Sequence, residues 1–253
     1  MEHQMKLTID YTRKAGTVRR LNGVNLAPPP IAEKASRDLS ADFAALRAPY
    51  ARLHDAPLEN GNMRLVDVPF LFGNCDADAA DKANYYFRQT DDYLATCRRC
   101  GSDVIYRLGV SIEHGIGRYY AFPPEDFEKW SDICVNIVRH YNEGWNDGFA
   151  WNIRYWEIWN EPDLAGNMWN APLERYFELY ALTAKKLKAR FPGIRVGGPA
   201  YACSDPGRIN AFLDACRAAD APLDFFSWHC YTADPAEIAA QPARVRALLD
   251  AKG

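Results

Sequence analysis

The sequence predicts an α/β fold of the (β/α)8 TIM-barrel type, with about six of the eight β/α units present. Three observations carry this. Six strand-like segments recur along the 253 residues, each followed by apolar residues at i, i+3 and i+4. Polar and charged residues gather at the C-terminal ends of those strands: His54 and Asp55, Glu113, Asn160 and Glu161, His229 and Tyr231. In a (β/α)8 barrel that face carries the active site. Finally, no G-x-G-x-x-G follows the first strand and no P-loop spacing occurs, which argues against a nucleotide-binding doubly wound sheet.

Taken in order, the chain opens with "MKLTIDYT" (5–12), which alternates like a strand ahead of the barrel. A lone strand needs a partner sheet, so residues 1–17 are expected to belong to an accessory β-domain and 18–253 to the barrel. Barrel strands are expected at 18–25 (VRRLNGVN), 50–55 (YARLHD), 103–109 (DVIYRLG), 153–160 (IRYWEIWN), 194–200 (IRVGGPA) and 223–231 (LDFFSWHCY). The clearest helical patterns span 84–100, 125–141 and 172–190, the last stopped by Pro-Gly. "DPGRINAFLDACRAAD" and "DPAEIAAQPARVRALLD" each open with a capping Asp followed by Pro in the first turn. Six units would leave two bare strand edges. Two more, on the order of 60 residues, complete such a barrel. The chain is therefore expected to be truncated or to be completed by another polypeptide.

Bulk properties narrow the function. Charge is balanced near neutrality, with a net of −3 and both signs scattered, so neither a nucleic-acid nor a membrane partner is expected. The start, "MEHQMKLTIDYTRK", has no apolar core of a signal peptide, and no run approaches the ~18 apolar residues of a membrane span. A cytoplasmic location is the expectation. Seven scattered cysteines do not form a disulfide framework. Cys97 and Cys100 form a C-x-x-C without a second pair, so they read as helical neighbours, and no metal or cofactor is expected. Oligomeric state is not legible.

The fourth strand reads "RYWEIWNEPDL" (154–164), two glutamates among aromatic residues. Strand alternation puts Glu157, Trp159 and Glu161 on one side and Trp156 and Ile158 on the other. With Trp156 and Ile158 against the helices, Glu157 lies deep in the barrel and Glu161 at its rim. Arg52 and Arg107 fall at similar depth on neighbouring strands, so Glu157, Arg52 and Arg107 are expected to form a buried charge network. Glu161 sits at the barrel mouth, where a carboxyl group beside apolar surface suits a general acid. Capping of the following loop, or pairing with a surface cation, is the competing reading. Glu113 reads either as a substrate contact or as a solvated loop residue. Trp159, Trp169 and Trp228 read as core or as platforms for sugar faces.

"YWEIWNEPDL" resembles the acid/base motif of clan A glycoside hydrolases, and most of all family 39, which includes β-xylosidases and α-L-iduronidases. Other segments match in order: "GVNLAPPP", "RLHDAP", "NYYFRQTDDYLATCRRCGSDVIYRLGVSIE", "VGGPAYA" and "DFFSWHCY". The likeness runs from about residue 18 to 235. It implies retaining cleavage of a glycosidic bond in an oligosaccharide or glycoside, with Glu161 as general acid and then base. Asn160 would hydrogen-bond the sugar 2-hydroxyl, and His54, His229 and Tyr231 would line the −1 subsite. The nucleophile of the family is a glutamate ending a seventh strand, and no position here matches it, so the nucleophile is unknown. Two other readings stay open: a carbohydrate-binding remnant without catalysis, and a barrel enzyme of other chemistry such as a lyase.

Overall fold

The computed structural model describes residues 8–14, 16–17, 20–28, 38–55, 64–113 and 117–253. Among them the elements follow one another as β1 Val24–Asn25, α1 Ser40–Leu46, β2 Tyr50–Leu53, α2 Val68–Leu71, α3 Arg88–Arg99 and β3 Asp103–Leu108. Then come α4 Phe127–Glu143, β4 Tyr155–Ile158, α5 Leu173–Arg190, β5 Arg195–Tyr201, α6 Pro206–Ala218, β6 Phe225–Trp228 and α7 Pro235–Lys252. The strands form one parallel sheet in the order β1-β2-β3-β4-β5-β6, curled into six of the eight units of a barrel. The first strand is shorter than expected. Part of 18–25 and residues 5–7 of the expected leading strand lie outside the described residues, and 8–10 carry no strand pairing.

Local chemistry sets the helix starts. Asp126, Asp205 and Asp234 each accept a hydrogen bond from a backbone N–H in the first turn of α4, α6 and α7, and proline follows at the first position of the last two. Helix α4 stops at Gly144, whose φ of 72° is the left-handed cap.

The outer face of the sheet is the core. Trp156 is fully buried and stacks on Tyr106 at 5.0 Å, which in turn packs against Tyr141 of α4 at 5.8 Å. Burying each such side chain contributes about 1.5–3 kcal/mol. A one-residue slip of β4 would expose Trp156 and Ile158 together, so register is strongly specified. The inner face is layered. Tyr50, Tyr155 and Phe225 meet edge to face near the strand starts, at 5.5 and 5.8 Å. Arg52, Glu157 and Ser227 form the middle layer. Gly197 faces Phe225, and a Cβ there would lie 2.3 Å from the Phe225 carbonyl oxygen, so β5 and β6 approach this closely only with glycine at 197.

Candidate active site

A cleft of about 500 Å³ runs over the inner face and opens at the C-terminal strand ends. It is lined by Arg52, His54, Asp55, Asn160, Glu161, His229 and Tyr231, among others. A larger cavity of about 660 Å³ lies outside the sheet, against Phe70, Tyr86 and His140. It holds none of the strand-end residues, so the smaller cleft is the candidate site.

One hydrogen-bonded ring crosses three strands. Ser227 donates to Oε1 of Glu157 at 2.8 Å. Arg52 donates from Nε to Oε2 of Glu157 and from Nη2 to Oδ1 of Asn160, each at 2.7 Å. Because Arg52 occupies the carbonyl end of the Asn160 amide, Nδ2 is left to face Glu161, 3.4 Å from its Oε2. His229 Nδ1 lies 2.5 Å from Glu161 Oε1 and closes the ring back on β6. Glu157 and Asn160 are buried, whereas Glu161 is partly open to the cleft.

Two other expected site residues line the same cleft. His54 Nε2 lies 3.3 Å from Asp55 Oδ1, and its Nδ1 has no partner among the described residues. Burial, and then the charges of Arg107, Arg52 and His229, hold the His54 imidazole far below its ordinary range. Burial likewise raises the Asp55 carboxyl. Tyr231 stands on the cleft lip, 91% exposed, with its ring 6.4 Å from that of His229.

The state of His54 has a consequence for stability. The folded protein keeps the imidazole neutral while the unfolded chain takes up a proton near pH 6.5. Its contribution is therefore complete above that pH and is lost as pH falls, at up to ~1.4 kcal/mol per pH unit. The urea midpoint is expected to drop between pH 7.5 and 5, and His54→Gln to flatten that slope. An unchanged slope in the variant would show that other groups carry the dependence.

Three expectations are corrected. Arg107 stands in register with Glu157 but does not pair with it. Its guanidinium donates to Asp67 Oδ1 at 2.5 Å and to Ser111 Oγ at 3.3 Å, and Asp67 Oδ2 accepts from the Ser111 N–H at 2.7 Å. The segment before α2 brings the Asp67 carboxylate over the end of β3, while Arg52 already occupies Glu157. Nothing in the sequence marks Asp67 beyond a charge ahead of Val-Pro.

Glu113 is not among the residues lining the cleft. It is buried, accepts from the Tyr120 N–H at 2.7 Å and faces Arg64 at 3.7 Å, so its carboxylate holds the loop after β3. The third correction is Trp159, which leaves the side of Glu157. Its φ of 71° breaks the strand alternation. The indole packs between Trp130 of α4 and Trp169, at 6.0 and 5.1 Å, and donates to the Met168 carbonyl. Trp159 and Trp169 are thus core, while half-buried Trp228 donates to Gln241. Cys97, on the buried side of α3, and Cys100, at its C-terminal cap, are free thiols, and burial pushes Cys97 up to about 12.

The profile of glycosyl hydrolases family 39 matches residues 78–243, more than half of the chain and inclusive of Asn160, Glu161, His229 and Tyr231. The chain belongs to glycosyl hydrolase family 39. Over 113 residues it is 40% identical to a β-xylosidase of Geobacillus stearothermophilus, a stretch covering 44% of this chain and 22% of that one. Among solved structures it is similar to a glucosidase from Croceicoccus marinus, with a TM-score of 0.77 and 28% identity over 94% of this chain and 50% of that one. A monomeric β-xylosidase from Caulobacter crescentus shares the fold, with a TM-score of 0.66 at 22% identity over 95% and 52% of the two chains. This family 39 chain therefore spans about half the length of those solved relatives.

Proposed function

We propose that the chain is the part of a retaining glycoside hydrolase that carries its general acid/base, Glu161. The observation that carries this reading is the placement of Glu161: on the cleft lip, held by His229 and flanked by the Asn160 amide. Asn160 presents a donor to the sugar 2-hydroxyl, a contact that strengthens as the transition state gains oxocarbenium character. His54, neutral, offers Nδ1 as an acceptor to a sugar hydroxyl, with Asp55 beside its other nitrogen. His229 and Tyr231 complete the wall of the −1 subsite.

Retention needs a second carboxylate about 5–5.5 Å from the first. We assign it to a polypeptide segment outside these 253 residues, in keeping with relatives of twice the length. β-Xylosides are the first substrates to test, since two related proteins carry that name. The 253 residues alone are expected to bind xylo-oligosaccharides without turning over aryl β-xylosides. Robust hydrolysis, abolished by Glu161→Gln, would overturn the assignment of the second carboxylate. Binding that is indifferent to Asn160→Ala and His54→Ala would overturn the subsite.

A further inference from the structure

The acid/base carboxylate is held in place by a backbone arrangement that is unfavourable on its own. Glu161 and Ala200 both have left-handed φ, 47° and 53°, a region that costs a non-glycine residue roughly 1 kcal/mol or more. Such residues persist only where their surroundings over-determine them. Here the surroundings meet at the end of β5. The Glu161 N–H donates to the Ala200 carbonyl at 3.0 Å, and the His229 N–H donates to the next carbonyl, that of Tyr201, at 2.7 Å. Acid and histidine thus hang from adjacent peptide groups of one strand end, which is what brings their side chains within 2.5 Å.

Asp163 ties this strand end down. It lies two residues beyond Glu161, and its side chain has no solvent exposure. Oδ1 accepts from the Ala202 N–H at 2.9 Å, the peptide that follows Tyr201. Oδ2 accepts from Arg208 Nη1 on α6 at 3.1 Å. The loop that begins at Glu161 is therefore joined side chain to backbone with the end of β5, and through Arg208 to α6. Burial raises the Asp163 carboxyl, as expected for a group withdrawn from water.

We infer that Asp163 is a positioning residue that sets the Glu161–His229 contact through the end of β5. It does not line the cleft and touches no reacting atom. Its importance for catalysis rests on the reading of Glu161 as acid/base, but the contact itself can be tested without turnover.

The test is the ¹⁵N spectrum of the imidazoles in histidine-labelled protein, five in all, with His229→Gln identifying the resonances. Glu161→Gln defines the displacement of the His229 Nδ1 signal when its carboxylate partner is removed. Asp163→Ala is expected to move that signal in the same direction by about half as much or more, because misplacement of a site by ~1 Å is enough to break a short contact. Asp163→Asn keeps an oxygen for the Ala202 N–H but loses the acceptor for Arg208, and is expected to move the signal in the same direction by less than Asp163→Ala does. An unmoved signal in folded Asp163→Ala would overturn the inference. Should that variant not fold, Arg208→Ala decides: its partly exposed guanidinium is removable, and displacement in the same direction supports the role while none refutes it. Failure of the glycosidase reading would instead appear as missing turnover in the complete barrel with the imidazole result intact.

Discussion

Glu161→Ala, in a polypeptide that completes the barrel, is expected to slow hydrolysis of glycosides with poor leaving groups by about 10²–10⁴, the usual contribution of a positioned general acid. Activated aryl glycosides, whose phenolate departs without a proton, should lose far less in the glycosylation step. The contrast follows from where the carboxyl group sits. It is at the cleft lip, with one oxygen on His229 and the other beside Asn160, which is the placement that the proposed acid role requires. A series of aryl xylosides of graded leaving-group acidity checks this. Wild type should show a shallow dependence and the variant a steep one. Equal losses across the series would place Glu161 in binding or folding rather than in proton transfer.

Glu157→Ala is expected to cost folding stability at the lower end of the ~3–5 kcal/mol typical of a broken buried pair, because it removes a buried carboxylate and leaves the half-buried Arg52 guanidinium without its ionic partner. Glu157 is 1% exposed, and its carboxylate is the shared partner of Arg52 and Ser227. Loss of that carboxylate also frees the guanidinium that orients the Asn160 amide, so stability and substrate recognition should fall together. Urea unfolding measures the first. Glu157→Gln, which keeps an acceptor for Ser227, should lose less, and Arg52→Met combined with Glu157→Leu should recover much of the loss by removing both charges. A penalty below ~1 kcal/mol for Glu157→Ala would mean that solvent in the cleft compensates the unpaired Arg52 guanidinium and that the ion pair contributes little to stability.

Much of this was legible because strand and helix periods differ and barrel strands carry their chemistry at one end. The Arg52–Glu157 pair follows from alternation along two parallel strands, since both positions fall on the inner face at equal depth. The grouping of His54, Asn160, Glu161 and His229 in one cleft follows from their places at strand ends. Loop residues were not legible in the same way. Asp67, Glu113 and Asp163 find partners 40, 7 and 39 positions away, for Arg107, Tyr120 and Ala202 respectively, across chain without periodicity.

By itself the sequence determined the order of β/α units, the side of each strand that meets the helices, and the Asn-Glu-Pro turn at the mouth of the fourth. Those follow from local rules, namely periodicity, capping and the burial of apolar side chains. The tertiary structure decided what happens once the backbone leaves the extended region. Left-handed φ at Trp159 turned a side chain expected beside Glu157 into the helical layer. At Glu161 the same geometry kept the carboxylate in the cleft. Alternation is a property of extended backbone, and it ends with the last ladder hydrogen bond; beyond that point, the direction of a side chain is set by whichever neighbouring strand end supplies its hydrogen bonds.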